Sequence, residues 1–119
     1  MTVKCDSEKV GEYVVLRLYG DMLGSVGNSC NILATVSELI RKGSKNLVFD
    51  VSSLQSPSSD LVNIIARTHK TVVKDNGSVG VVYHCPSETD IFERCGVYGY
   101  ARHYSSSEVF ENYARKKHQ

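Results

Sequence analysis

The sequence predicts an α/β domain: a four- to five-stranded, mostly parallel sheet with an antiparallel N-terminal edge and about four helices packed on it. Three observations carry that expectation. Two short, nearly continuous apolar runs, residues 46–51 and 78–83, have the composition of strands buried on both faces. Around them, apolar residues recur at helical spacing. Ahead of both, period-two alternation over residues 13–19 marks a strand with Val14, Leu16 and Leu18 on one face. Strands alternating with helices build parallel sheets through right-handed crossovers.

The elements follow in order. Val3-Lys4-Cys5 alternates weakly, Asp6-Ser7-Glu8 reads as a turn, and Val14, Leu16 and Leu18 share one face of a second strand ending at Gly20, so the chain opens with a hairpin. Asn28 or Ser29 can cap a first helix whose inner face is Ile32, Leu33, Val36, Leu39 and Ile40, closed by Gly43. Residues 46–51 form a central parallel strand, and the polar segment 52–59 is a loop. It delivers Ser58, Ser59 or Asp60 to the N-cap of a second helix, with Leu61, Ile64, Ile65, Thr68 and Val72 inward and Asn76-Gly77 as its end. After the strand at 78–83, Ser87 to Asp90 resembles a cap for a short helix with Ile91, Phe92 and Cys95 inside and Gly96 as its stop. Residues 100–104 suggest a short edge strand. Ser105-Ser-Ser-Glu108 is an S-x-x-E box opening a last helix that buries Val109, Phe110, Tyr113 and Ala114.

At 119 residues the chain is a single domain, 1–119, long enough to bury roughly two-thirds of its unfolded surface without metal or disulfide staples. Fourteen basic residues against thirteen acidic ones leave a charge of +1, and the basic residues form no stripe along the sequence, which argues against a nucleic-acid partner. No apolar run approaches the ~20 residues of a membrane span, and the polar start lacks a secretory core; membrane insertion is not expected, and a cytoplasmic location is. Cys5, Cys30, Cys85 and Cys95 are too scattered for a zinc site and read as free thiols. No phosphate-binding, dinucleotide or metalloprotease motif is present. No cofactor and no enzymatic activity are expected.

The informative place is the segment after the central strand, because in open α/β sheets ligands and partners gather at the carboxyl ends of strands and at helix N-termini. Ser56, Ser58, Ser59 and Asp60 converge there just before Leu61. A phosphate on a cap serine would be stabilised by free N–H groups and the positive helix end; the simpler role of these residues is capping alone. Cys85 beside His84 is a second candidate, but neighbouring strand residues point to opposite sides and His84 lacks a local carboxylate to orient it. His69 reads as a core-edge residue, and Tyr98, Tyr100 and Tyr104 as packing at the sheet edge.

Three segments carry a resemblance: Val14-Val-Leu-Arg-Leu-Tyr-Gly20-Asp21, Leu47-Val-Phe-Asp50-Val-Ser-Ser-Leu54 and Ile91-Phe92-Glu-Arg-Cys-Gly96-Val97. With them the chain resembles the STAS family, and within it the single-domain bacterial anti-sigma factor antagonists, over nearly its full length. The resemblance implies a non-enzymatic, partner-switching module that binds an anti-sigma factor/serine kinase or related regulatory protein. In that family a D-S-S-G or D-S-T-G tetrad opens the second helix, and its second hydroxyl residue is the phosphoacceptor. Counted without gaps, the tetrad falls on Ser58-Ser59-Asp60-Leu61. The usual acceptor position therefore holds Asp60, and Ser59, then Ser58, are the phosphorylation candidates. The acidic residue ending the family's early GELD segment falls on Leu23, with Asp21 close by. The implied partner-binding residues are Asp21, Ser56, Ser58, Ser59, Asp60 and Leu61. The altered tetrad itself favours the alternative, a STAS subunit of a transporter or other assembly acting as a constitutive docking domain without phosphorylation.

Overall fold

The computed structural model describes residues 3–21, 26–55, 57–84 and 90–116, with the backbone alone at 21 and 26–30. The strands are β1 (Lys4–Val10), β2 (Tyr13–Asp21), β3 (Asn46–Gln55), β4 (Ser78–Val82) and β5 (Arg102–Tyr104), and the helices α1 (Val26–Arg41), α2 (Ser59–Val72), α3 (Ile91–Arg94) and α4 (Ser107–Lys116). They form one five-stranded sheet in the order β1-β2-β3-β4-β5. β1 pairs antiparallel with β2, and every other pair is parallel.

The sheet is covered unequally. On one face Leu16 and Leu18 of β2, Leu47, Phe49 and Val51 of β3, and Val79 and Val81 of β4 pack with Ile32 and Val36 of α1, Leu61, Ile64 and Ile65 of α2, and Phe92 of α3. On the other, Tyr13, Val15, Val48, Val82 and Tyr104 meet Phe110 and Ala114 of α4 alone. The alternation of Leu47, Val48 and Phe49 between the two layers explains why β3 reads as a continuous apolar run. All five residues expected on the inner face of α2 are buried there, as the 3.6-residue period requires.

α1 ends in a Schellman motif: Gly43, at φ +100°, donates its N–H to the Ile40 carbonyl at 2.9 Å, and Ser44 donates to Leu39 at 3.0 Å. The parallel connections α1–β3 and α2–β4 then meet, because the Ser78 N–H donates to the Lys45 carbonyl at 2.9 Å and the Ser78 hydroxyl to Asn46 Oδ1 at 2.9 Å.

Five local expectations are corrected. Asp6-Ser7-Glu8 lies inside β1, and the hairpin turns at Gly11-Glu12; β1 is an edge strand largely exposed on both faces, so its pairing with β2 imposes no alternation that the sequence could show. α1 starts at Val26, placing Asn28 and Ser29 within it; propensity is a weak prior, and a single low-propensity Gly27 does not stop a helix. Residues 52–55 continue β3. Cys95 is exposed because it follows a single-turn α3 that buries only Phe92. In α4 the cap is Ser106, whose hydroxyl accepts from the Val109 N–H at 3.1 Å; a start one residue later turns Val109 outward, 47% exposed, while Phe110 and Ala114 stay buried.

The edge of the sheet is closed by a polar and aromatic cluster. Asp90 caps α3 by accepting from the Phe92 N–H at 2.9 Å, and its other oxygen accepts from the Tyr98 hydroxyl at 2.8 Å. Tyr98 stacks on His103 at 4.2 Å, whose Nε2 lies 2.7 Å from the Tyr83 carbonyl. Burial, then the hydrogen bond to Asp90, pushes the Tyr98 phenol above its ordinary range, and burial does the same to Tyr104. The fold thus prefers both phenols neutral. Its stabilisation from them is complete below pH about 10, where an unfolded tyrosine titrates, and is lost as pH rises beyond that value. Thermal melts are expected to show the melting temperature falling between pH 9 and 11, with a shallower fall in Tyr98→Phe.

Candidate functional site

The carboxyl ends of β2 and β3 and the start of α2 lie together. The β2–β3 register pairs Arg17 with Asp50, Tyr19 with Ser53 and Asp21 with Gln55. β3 therefore holds one extra residue between Asp50 and Ser53, a β-bulge that resets its alternation. Val51 and Leu54, three positions apart, are consequently both buried in the α1–α2 layer, while Ser52, Ser53 and Gln55 are exposed. Beyond the bulge the register places Asp21 opposite Gln55, at the end of β3.

Ser58 is the N-cap of α2 by backbone geometry, at φ −122° and ψ 172°. Its carbonyl accepts from the Leu61 N–H at 3.1 Å and the Val62 N–H at 3.2 Å. Its hydroxyl makes no capping bond and is buried without a partner among the described residues. Ser59 and Asp60, in the first turn, are exposed, with Asp60 placed to complement the positive helix end. Leu61 is fully buried; it anchors the turn from below and offers a partner no surface. Ser56, Leu23, Cys85 and Ser87 lie outside the described residues, as does the Asp21 side chain. Among the described residues no group of side chains is arranged to hold a metal ion, and no helix is long and apolar enough to cross a membrane.

Sequence reasoning missed one polar centre near this end. Asp50, 5% exposed, accepts from the Ser52 N–H at 3.1 Å and the Ser52 hydroxyl at 2.5 Å through one oxygen. The other accepts from the Ser107 hydroxyl at 2.6 Å and lies 3.8 Å from Arg17 Nε. Arg17 also bonds Glu8 and lies 3.6 Å from Glu111. The Glu8 bond is the main cause raising the Arg17 guanidinium above its ordinary range. Arg17, Asp50, Ser52, Ser53 and Ser107 border a polar hollow of about 220 Å³ on the α4 side. The available signal was a lone carboxylate inside an apolar strand, which must be partnered when buried.

No protein-family model matches the chain, and no curated protein matches it by sequence. Solved structures do. An anti-sigma factor antagonist from Mycobacterium paratuberculosis superposes with a TM-score of 0.78 at 18% identity, over 96% of this chain and 95% of that one. The anti-sigma factor antagonist SpoIIAA in its unphosphorylated form gives 0.73 at 19% identity, over 96% and 98%. The Bacillus cell fate determinant SpoIIAA in its phosphorylated form gives 0.69 at 19% identity, over 92% and 98%. Such likeness at such low identity establishes architecture, and the architecture of this chain is the STAS fold of the anti-sigma factor antagonists.

Proposed function

We propose that the chain is a non-enzymatic regulatory module that binds an anti-sigma factor/serine kinase or related regulatory protein through the start of α2, and that Ser59 is its phosphate-accepting hydroxyl. The observation that carries this reading is the exposed Ser59 in the first turn of α2, in a fold shared with a phosphorylated anti-sigma factor antagonist. Ser58 is the weaker acceptor because its Oγ is buried, and a kinase must reach the oxygen it modifies. Asp21 and Ser56 flank the same end in sequence and complete the contact surface with Ser58, Ser59 and Asp60. A phosphoserine adds about −1.5 to −2 charges beside Asp60. Unit charges ~4 Å apart at an effective dielectric of ~20 repel by about 4 kcal/mol before screening, and a quarter of that shifts affinity about fivefold.

The test has two parts. Intact mass with fragment mapping of protein from its native cells is expected to show one phosphate on the peptide spanning residues 52–70. With a partner identified by pull-down, Ser59→Asp is expected to weaken binding about fivefold or more, while Ser59→Ala binds normally and resists phosphorylation. The second reading, a constitutive docking domain in a transporter or other assembly, is favoured by the exposed carboxylate of Asp60 at the usual acceptor position. It predicts no phosphate in growing or stressed cells and unchanged affinity for both Ser59 variants.

A further inference from the structure

A depression of about 510 Å³ runs between α1 and α2. It lies away from Ser59. On α1 its lining follows one helical stripe through Leu33, Val36 and Ile40, and on α2 it is bounded by Arg67 and Thr71. Arg67 stands eight residues beyond Ser59 along α2, about 12 Å at 1.5 Å per residue.

Charge is distributed unevenly around this groove. The charged side chains that line it are both basic, Arg41 from α1 and Arg67 from α2. Arg41 is already bonded to Glu38, at 2.6 Å through Nη2 and 3.1 Å through Nε, and Lys42 lies 3.7 Å from the same carboxylate. Arg67 is exposed, and among the described residues no carboxylate lies within ion-pair distance of it. The site is therefore an apolar trough flanked by two arginines, of which Arg67 has no counter-ion among the described residues.

We propose that this groove is the docking site for an acidic amphipathic helix of a partner protein, whose apolar ridge covers Leu33, Val36 and Ile40 and whose carboxylates pair with Arg67 and the Arg41 end. Concavity selects a helix: an apolar ridge fits between two parallel helices, whereas a lipid surface is met by apolar side chains that project. Here Val36 is 3% exposed, and Leu33 and Ile40 are half-buried. The proposal does not depend on phosphorylation of Ser59.

The probe is a fluorescein-labelled synthetic helix of about 18 residues, five turns, with leucine at helical spacing and glutamate on the flanks, compared with the same peptide carrying lysine for glutamate. Fluorescence anisotropy with the whole chain is expected to show saturable binding of the acidic peptide only. Arg67→Glu is expected to weaken it about tenfold or more and to admit the lysine peptide, a rescue that misfolding would not produce. Ser37→Trp, at an exposed position lining the groove, is expected to abolish binding with the melting temperature retained; Thr71→Trp serves the same purpose if that variant fails to fold. Ser59→Asp should leave peptide binding unchanged, separating this site from the other end of α2. Equal binding of both peptides, an unaffected Arg67→Glu, or a preference for phosphatidylglycerol vesicles or a DNA duplex over the acidic peptide would overturn the proposal.

Discussion

Replacing Asp50 by alanine is expected to lower the free energy of unfolding by about 3 kcal/mol, and the melting temperature by roughly 10 °C for a chain of this size. The carboxylate accepts three hydrogen bonds, from the Ser52 N–H, the Ser52 hydroxyl and the Ser107 hydroxyl, and sits beside Arg17. Alanine would remove the acceptor while its donors stay in place, and losing one partner of a buried charged set costs more than the set contributes as a whole. Asparagine keeps the shape and one carbonyl, so Asp50→Asn should lose about half as much, on the order of a single charge-assisted bond. Ser107→Ala should lose about 1 kcal/mol, and protection of the α4 amides from hydrogen exchange should fall with it. Urea unfolding decides the matter: the midpoint should drop with the slope unchanged. A midpoint that does not move would mean that Asp50 does not tie α4 to the sheet.

Gly77→Ala is expected to be similarly damaging, about 2–3 kcal/mol, for a reason that involves no hydrogen-bonding side chain. A Cβ at residue 77 would stand 2.2 Å from the Lys45 carbonyl oxygen and 2.8 Å from both the Cβ and the carbonyl oxygen of Val72. Two of these three atoms belong to the backbone and cannot swing aside, so the two parallel connections must separate. Gly43 makes the useful contrast. It has φ +100° and nothing within 4 Å of its missing Cβ, so Gly43→Ala should cost about 1 kcal/mol of backbone strain. Denaturation midpoints of the two variants should therefore differ severalfold in shift, with Gly77→Ala the larger.

How legible these features were depended on how local their causes are. The inner face of α2 and the buried run at 46–51 were readable because a helix stripe and a doubly covered strand print their periods directly on the sequence. β1 was misread because an edge strand exposed on both faces prints nothing; its register comes from β2. Residues 52–55 looked like a loop because polar residues in a strand are visible as such only once the bulge is known. The Asp50 centre joins residues 57 positions apart, and the groove's two arginines, Arg41 and Arg67, stand on helices that only the parallel crossover brings side by side. In the candidate site, the hydroxyls and Asp60 were apparent from composition, but composition could not separate the buried Ser58 oxygen from the exposed Ser59, nor place Leu61 in the core.

The unequal covering of the sheet has a consequence during biosynthesis. In a chain released after β5, the strands, α1, α2 and α3 all exist and one layer can close, yet Tyr13, Val15, Val48 and Val82 face water. A premature stop after Tyr104 would therefore present the truncated chain to chaperones, or to other such chains, by its β-face.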